Sequence, residues 1–184
     1  ALGVLSDGAA VCEGYAEAYT LLCRMAGIRC GMVTGVAVDA DGVSQTHAWN
    51  QVILSEGAML VDATWDDHED SELGLVHWYF GLTDEQLGQD HQPDAALPLQ
   101  LPCDTPSLNW HVRTGAYAAE GQTEESLKAR WFSLLDSVLG GGTAELRLAD
   151  EADFARLQAN AEAWTDAYNT ERGAEGFYGS YRVY

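Results

Sequence analysis

The sequence is short of positive charge. Nine Lys and Arg residues stand against 29 Asp and Glu in 184 residues, a net charge of −20, and Lys128 is the only lysine. Nucleic acids and anionic membranes are held through Lys and Arg, so neither is an expected partner, whereas an amine-bearing substrate is compatible with this field. Long apolar runs are missing too. None approaches the roughly 20 residues of a membrane-spanning helix, and no stretch at the N-terminus has the zones of a signal peptide. The excess of carboxylates favours solubility, and an acidic, nearly lysine-free chain suits the extracellular space or cell surface rather than the cytoplasm. The four cysteines, Cys12, Cys23, Cys30 and Cys103, contain no CxxC pair. Neither a zinc ribbon nor a disulfide framework is therefore expected. All four prolines fall between Gln92 and Pro106, which reads as an extended connection. The chain begins at Ala1, without Met, so a longer protein with further structure upstream is expected.

What is present is enough for one ordinary core and a smaller second lobe, since 47% of the residues are hydrophobic. Ser6 and Asp7 can cap a helix on which Cys12, Ala16, Tyr19, Cys23 and Ala26 recur at helical spacing, with Gly27 at its C-terminal end. An apolar extended segment from Ile28 to Val38 follows, then the turn sequence Asp39-Ala40-Asp41-Gly42, a strand from Thr46 to Leu54, the turn Ser55-Glu56-Gly57, and a strand from Met59 to Thr64. Thr83-Asp84-Glu85-Gln86 has the form of a capping box. A lobe boundary is expected between 107 and 122. Beyond it, Leu127, Trp131, Leu134, Leu135 and Val138 mark an amphipathic helix, and Ala144, Leu146 and Leu148 alternate as a strand. Asp150 caps a helix carrying Phe154, Leu157, Ala161, Trp164 and Tyr168, and Phe177 to Tyr184 reads as a last strand. The expected organisation is a core over 1–110 and a small α-β-α-β lobe over 111–184.

The chemistry concentrates in the first part. A thiol attacks an amide carbon only as its thiolate, and a helix N-terminus offers unpaired N–H groups and the positive end of a dipole to that charge. Cys12 lies in the first turns of its helix. A base is then required, and His47, in Thr46-His47-Ala48-Trp49-Asn50, opens a strand whose alternate residues His47, Trp49 and Gln51 share a face. Asp62 is unusual as a carboxylate within an apolar run. A two-residue turn at Ser55-Glu56 sets it opposite Trp49, a diagonal step of about 7 Å from His47, where it can orient the ring. A slip of one residue would send it to the other face. Asp66 and Asp67 read as caps of the following loop. His68, His77, His91 and His111 fall in acidic or loop-like stretches with no carboxylate on a neighbouring strand, and read as surface or packing residues. Cys23 and Cys30 read as small buried hydrophobes. Tyr15, Trp49 and Trp65 are candidates for the wall of a cleft, with an ordinary core role as the alternative.

The segment Gly8-Ala9-Ala10-Val11-Cys12-Glu13-Gly14-Tyr15-Ala16 resembles the G-x-C-x-G-Y-A nucleophile segment of the transglutaminase-like superfamily. His47-Ala48-Trp49-Asn50 resembles its H-A-W-N strand, and Val61-Asp62-Ala63-Thr64-Trp65-Asp66 its V-D-x-T-W-D strand, in the same order over residues 2 to 67. His77-Trp78-Tyr79-Phe80, with Thr83-Asp84-Glu85 and Asp90-His91, resembles the segment that follows the domain in many bacterial members. The resemblance implies an α+β, papain-like fold, with the nucleophile helix packed on an antiparallel sheet. It gives Cys12, His47 and Asp62 the roles of nucleophile, base and orienting group. The family draws one oxyanion donor from upstream of the cysteine segment, and no candidate for it is identifiable before Cys12. The expected activity is acyl transfer from a protein or peptide amide through a thioester, to water or to a primary amine, with no cofactor and no metal. Two rivals are a catalytically idle binding module on the same fold and a metal site built from Cys12, His47 and Asp62.

Overall fold

The computed structural model describes residues 10–67, 75–95, 101–140, 143–173 and 176–177. It divides into two compact units, 1–113 and 114–184. The first opens with helix α1, Cys12–Met25, whose N-cap is Val11 with no side-chain bond at the cap. Cys12 is thus the first helical residue rather than an interior one, and Ser6 and Asp7 lie outside the described residues. Glu13 in the first turn and Arg24 in the last complement the helix dipole. The C-terminus closes as a Schellman motif: Ile28 N–H bonds Cys23 O at 2.8 Å and Gly27 N–H bonds Arg24 O at 3.0 Å, with Gly27 at φ 75°.

The predicted meander follows. Strand β1, Arg29–Val38, turns at Asp39, whose Oδ1 accepts from Asp41 and Val43 N–H, and pairs antiparallel with β2, Ser44–Ile53. β2 pairs with β3, Ala58–Val61, through the register Asn50 to Val61 and Ile53 to Ala58, and the Leu54 to Gly57 hydrogen bond closes a two-residue turn at Ser55-Glu56. That is the register expected from the turn. The strand ends earlier than the expected Thr64, because the Asp62 carboxylate accepts from Thr64 and Trp65 N–H and bends the chain into the short helix α2, Ala63–Asp66.

Two three-residue strands complete the sheet. β4, Phe80–Leu82, lies beside β3, and β5, His91–Pro93, beside β1, giving the antiparallel order β4-β3-β2-β1-β5. Between them α3, Asp84–Leu87, is opened by the expected capping box of Thr83 and Gln86. The two faces of the sheet are buried separately, one over Val33, Trp49, Ile53, Leu60, Leu82 and Leu87, the other over Val52, Met59, Val61 and Leu108. This is the α+β, papain-like architecture that the motifs imply. After a 3₁₀ turn, Pro106–Leu108, comes α4, Trp110–Thr114.

In the second unit β6, Tyr117–Ala118, pairs in parallel with β7, Arg147–Leu148. The helices α5, Glu124–Val138, and α6, Glu151–Arg172, bury Leu127, Trp131 and Leu135 against Leu157, Ala161, Trp164 and Tyr168. Asp150 caps α6 as expected, with its carboxylate on Ala152 N–H at 2.7 Å. The strand expected over Ala144 to Leu148 shrinks to two residues, and β6 was not foreseen. Of the expected last strand only Phe177 is described. No described helix is long and apolar enough to cross a membrane.

Candidate active site

His47 and Asp62 meet. Nε2 of His47 lies 2.6 Å from Asp62 Oδ2, and the two side chains are only 4% and 0% exposed. A ring nitrogen facing a carboxylate oxygen at that distance carries the proton. Bonding through Nε2 therefore leaves Nδ1 as the nitrogen able to take a proton from a thiol. Trp65, half-buried at the first turn of α2, covers the pair, its ring centroid 5.3 Å from that of His47. Trp49 is 1% exposed and is core, with its ring 6.3 Å from that of His47.

Sequence reasoning missed a third member. His91 reads as a surface or packing histidine in sequence, yet it is 3% exposed on β5, and its Nε2 lies 3.1 Å from the same Asp62 oxygen. Its other nitrogen, Nδ1, faces Asp90 Oδ1 at 2.5 Å. The pairing of His91 with Ala37 on β1 brings the residue onto the face that carries His47 and Trp49. The one signal in the sequence was the Asp90-His91 dipeptide of the segment that begins at His77. His77, by contrast, stacks on Trp110 with centroids 4.1 Å apart, and His111 is buried, as packing residues are. His68 lies outside the described residues.

Asp62 is saturated. Its Oδ2 meets both histidines and its Oδ1 accepts from Thr64 N–H at 2.9 Å and Trp65 N–H at 3.3 Å, filling the four lone-pair sites of a carboxylate. Burial pushes this acid up, but the hydrogen bonds from His47 and His91 and their charge outweigh burial and hold it down at about 2. It is a carboxylate at any physiological pH.

His47, Asp62 and His91 are also the group of described side chains that could hold a metal, since one donor atom from each falls within 4.8 Å of the others. Tetrahedral zinc ligands at about 2.0–2.1 Å stand roughly 3.3 Å from one another. The 2.6 Å between His47 and Asp62 is instead a hydrogen-bond distance. The set differs from the expected metal rival, which used Cys12 in place of His91.

Cys12 opens α1 and is half-buried. Two ties position its helix. Asn50 on β2 donates from Nδ2 to Ala16 O at 3.0 Å and Thr20 Oγ1 at 2.9 Å. Tyr15, one turn on from Cys12 and on the same helix face, donates its hydroxyl to Asp67, immediately after α2. Two of the other thiols, Cys23 and Cys103, are kept protonated. Burial, then neighbouring Cys30, raises Cys23 to about 11, and burial raises Cys103, itself 1% exposed, to about 11. Cys30 is half-buried beside Thr20. Asp66, rather than merely capping a loop, is 3% exposed and fixes Tyr79 N–H at 2.8 Å.

Residues 1–65 match the sequence model of the transglutaminase-like superfamily. The match supports a relationship of this part of the chain to that superfamily. The matched range holds Cys12, His47 and Asp62. The chain is also similar to the kyphoscoliosis peptidases of Mus musculus and Homo sapiens, 34% identical to each over 96 residues, which is 45% of this chain. It spans 14% of the length of those relatives. The superfamily match, with relatives named as peptidases, is compatible with acyl-transfer chemistry of the cysteine type.

Proposed function

We propose that the chain is a cysteine acyl-transfer enzyme acting on carboxamide or peptide bonds, with Cys12 as nucleophile, His47 as base and Asp62 as the group that orients the base. The observation that carries the reading is the buried 2.6 Å contact between His47 Nε2 and Asp62, because it directs Nδ1 to the incoming proton. The ties of α1 support the rest. Cys23 neighbours Cys30, whose partner on β2 is Val52, and Ala16 and Thr20 sit at Asn50, so the helix runs along β2 with its N-terminus toward the His47 end. Asn50 and His47 project from opposite faces of β2. In this reading the thiol meets the ring around the end of the sheet, under Trp65.

The Cys12 S–H proton passes to His47 Nδ1 as sulfur bonds to the carbonyl carbon. The C–N bond then breaks, and His47 returns the proton to the departing ammonia or amine, leaving a thioester. Water or a primary amine attacks that thioester, gives a proton to His47, and the sulfur leaves as a thiolate. Hydrolysis or an amide cross-link results. A protein or peptide is the expected acyl donor, and the acidic surface favours a cationic amine as acceptor.

Mass spectrometry of the chain with a glutamine-containing peptide, with and without a primary amine, tests this. Deamidation, amine addition or cleavage is expected, and none of them with Cys12→Ala. Identical products from that variant would remove Cys12 as the nucleophile, and no thioester and no product from the parent chain would reduce the protein to a binding module.

A further inference from the structure

Neither ring nitrogen of His91 faces an acceptor-free direction. Nδ1 lies 2.5 Å from Asp90 Oδ1 and Nε2 lies 3.1 Å from Asp62 Oδ2, and an ionised carboxylate offers acceptors only. A neutral imidazole has one N–H. It would turn a lone pair against one of the two oxygens, inside a site where the His91 side chain is 0% exposed. Both carboxylates are themselves anchored. Asp90 accepts from the Tyr79 hydroxyl at 2.8 Å through Oδ2 and from Val38 N–H at 2.9 Å through its main-chain carbonyl. Asp62 is fixed by the N–H groups of α2. Around the His91 ring stand His47, Trp49, Trp65 and Tyr79, with centroids 5.4, 5.0, 4.5 and 5.6 Å away.

We propose that His91 is a positioning residue of this centre: protonated on both ring nitrogens, it bridges Asp90 to Asp62 and fixes the oxygen on which His47 is oriented. The chain of contacts runs Tyr79, Asp90, His91, Asp62, His47. Its effect on rate rests on the acyl-transfer reading, whereas the protonation of the ring stands apart from it. The bridge does two things that His47 alone cannot do. It holds Asp62 Oδ2 against rotation about the carboxyl axis, and it places a cation beside a buried anion that would otherwise share a single donor ring.

The test uses the full chain labelled with ¹⁵N. Ring N–H correlations of His91 should show two protonated nitrogens at neutral pH, and Asp90→Asn should leave one. In parallel, iodoacetamide alkylation of Cys12 is followed across pH. In His91→Gln the rate should fall roughly ten-fold, the scale on which outer partners of a functional histidine act, and the pH profile should move. Asp90→Asn, which keeps every side chain in place, should act in the same direction if His91→Gln fails to fold. One protonated nitrogen in the parent chain overturns the proposal. So does a folded His91→Gln with the parent rate and profile, or stoichiometric zinc that is lost with that substitution. If Cys12 reacts no faster in the parent than in His47→Gln, the acyl-transfer reading fails and the positioning role falls with it. The nitrogen count still decides whether the bridge exists.

Discussion

Asp62 is asked to do two jobs with two oxygens, one toward the histidines and one toward the turn of α2. In Asp62→Asn the amide oxygen can keep Thr64 and Trp65, but its N–H₂ then confronts Nε2 of His47. The ring must present a lone pair there and carry its proton on Nδ1, the wrong tautomer for a base. By analogy with the aspartate of the serine-protease triad, whose replacement costs about 10⁴ in rate, alkylation of Cys12 in Asp62→Asn should slow by at least about 10². The same acid makes a prediction for stability. Its folded value is depressed from 3.8 to about 2, so its contribution is complete above the unfolded value and is lost as pH falls through that window. The loss should be about 2 kcal/mol, read as a shift in urea midpoint on either side of the window and absent from Asp62→Asn. Thiol mapping at mildly alkaline pH gives a third outcome at this scale. With Cys23 and Cys103 held up at about 11, Cys12 should be carboxymethylated well before either, which peptide mass spectrometry resolves.

At the level of the elements, the site depends on an edge strand of three residues. β5 reaches β1 only because position 35 has no side chain: a Cβ there would lie 2.1 Å from Gln92 O and 2.8 Å from the Trp49 ring. Gly35→Ala should therefore push β5 outward, destabilise the chain by roughly 1–3 kcal/mol in urea, and slow Cys12 alkylation through the displaced His91. Asn50 is the corresponding device for α1. Asn50→Ala leaves the Thr20 hydroxyl and the Ala16 carbonyl without that donor in a buried seam, and should cost roughly 1–3 kcal/mol. Much of this level was legible in the sequence. The turn Ser55-Glu56 set the register that brings Asp62 toward His47, and the capping signals at Thr83 and Asp150 were right. The β4 and β5 strands were not legible, since three residues show no period, and Pro93 argues against a strand except at an edge. His91 was lost with β5: beside its sequence neighbour Asp90, its second carboxylate partner comes from residue 62, and only the sheet brings those two together. The early end of β3 was hidden for a related reason, because Asp62 was read as an orienting group and not also as a helix cap.

On the scale of the whole molecule, a net charge of −20 sets the conditions for everything above. Self-repulsion at neutral pH destabilises the compact state, and salt screens it over about 10 Å at 0.1 M ionic strength. Thermal unfolding should therefore shift upward with added sodium chloride, by the same amount in Cys12→Ala as in the parent chain. The buried His47–Asp62–His91 cluster is shielded from that screening, so the alkylation rate of Cys12 by a neutral reagent should change much less. A cationic amine acceptor should instead lose effectiveness as salt rises.

Asp62 serves the turn of α2 as well as the rings beneath it, and this has a practical consequence for finding a ligand. A chain silenced by Asp62→Ala would lose the cap that seats Trp65, and with it the shape a ligand meets. One silenced by Cys12→Ala keeps every contact of the carboxylate and makes the better bait for crystallographic soaking or affinity capture.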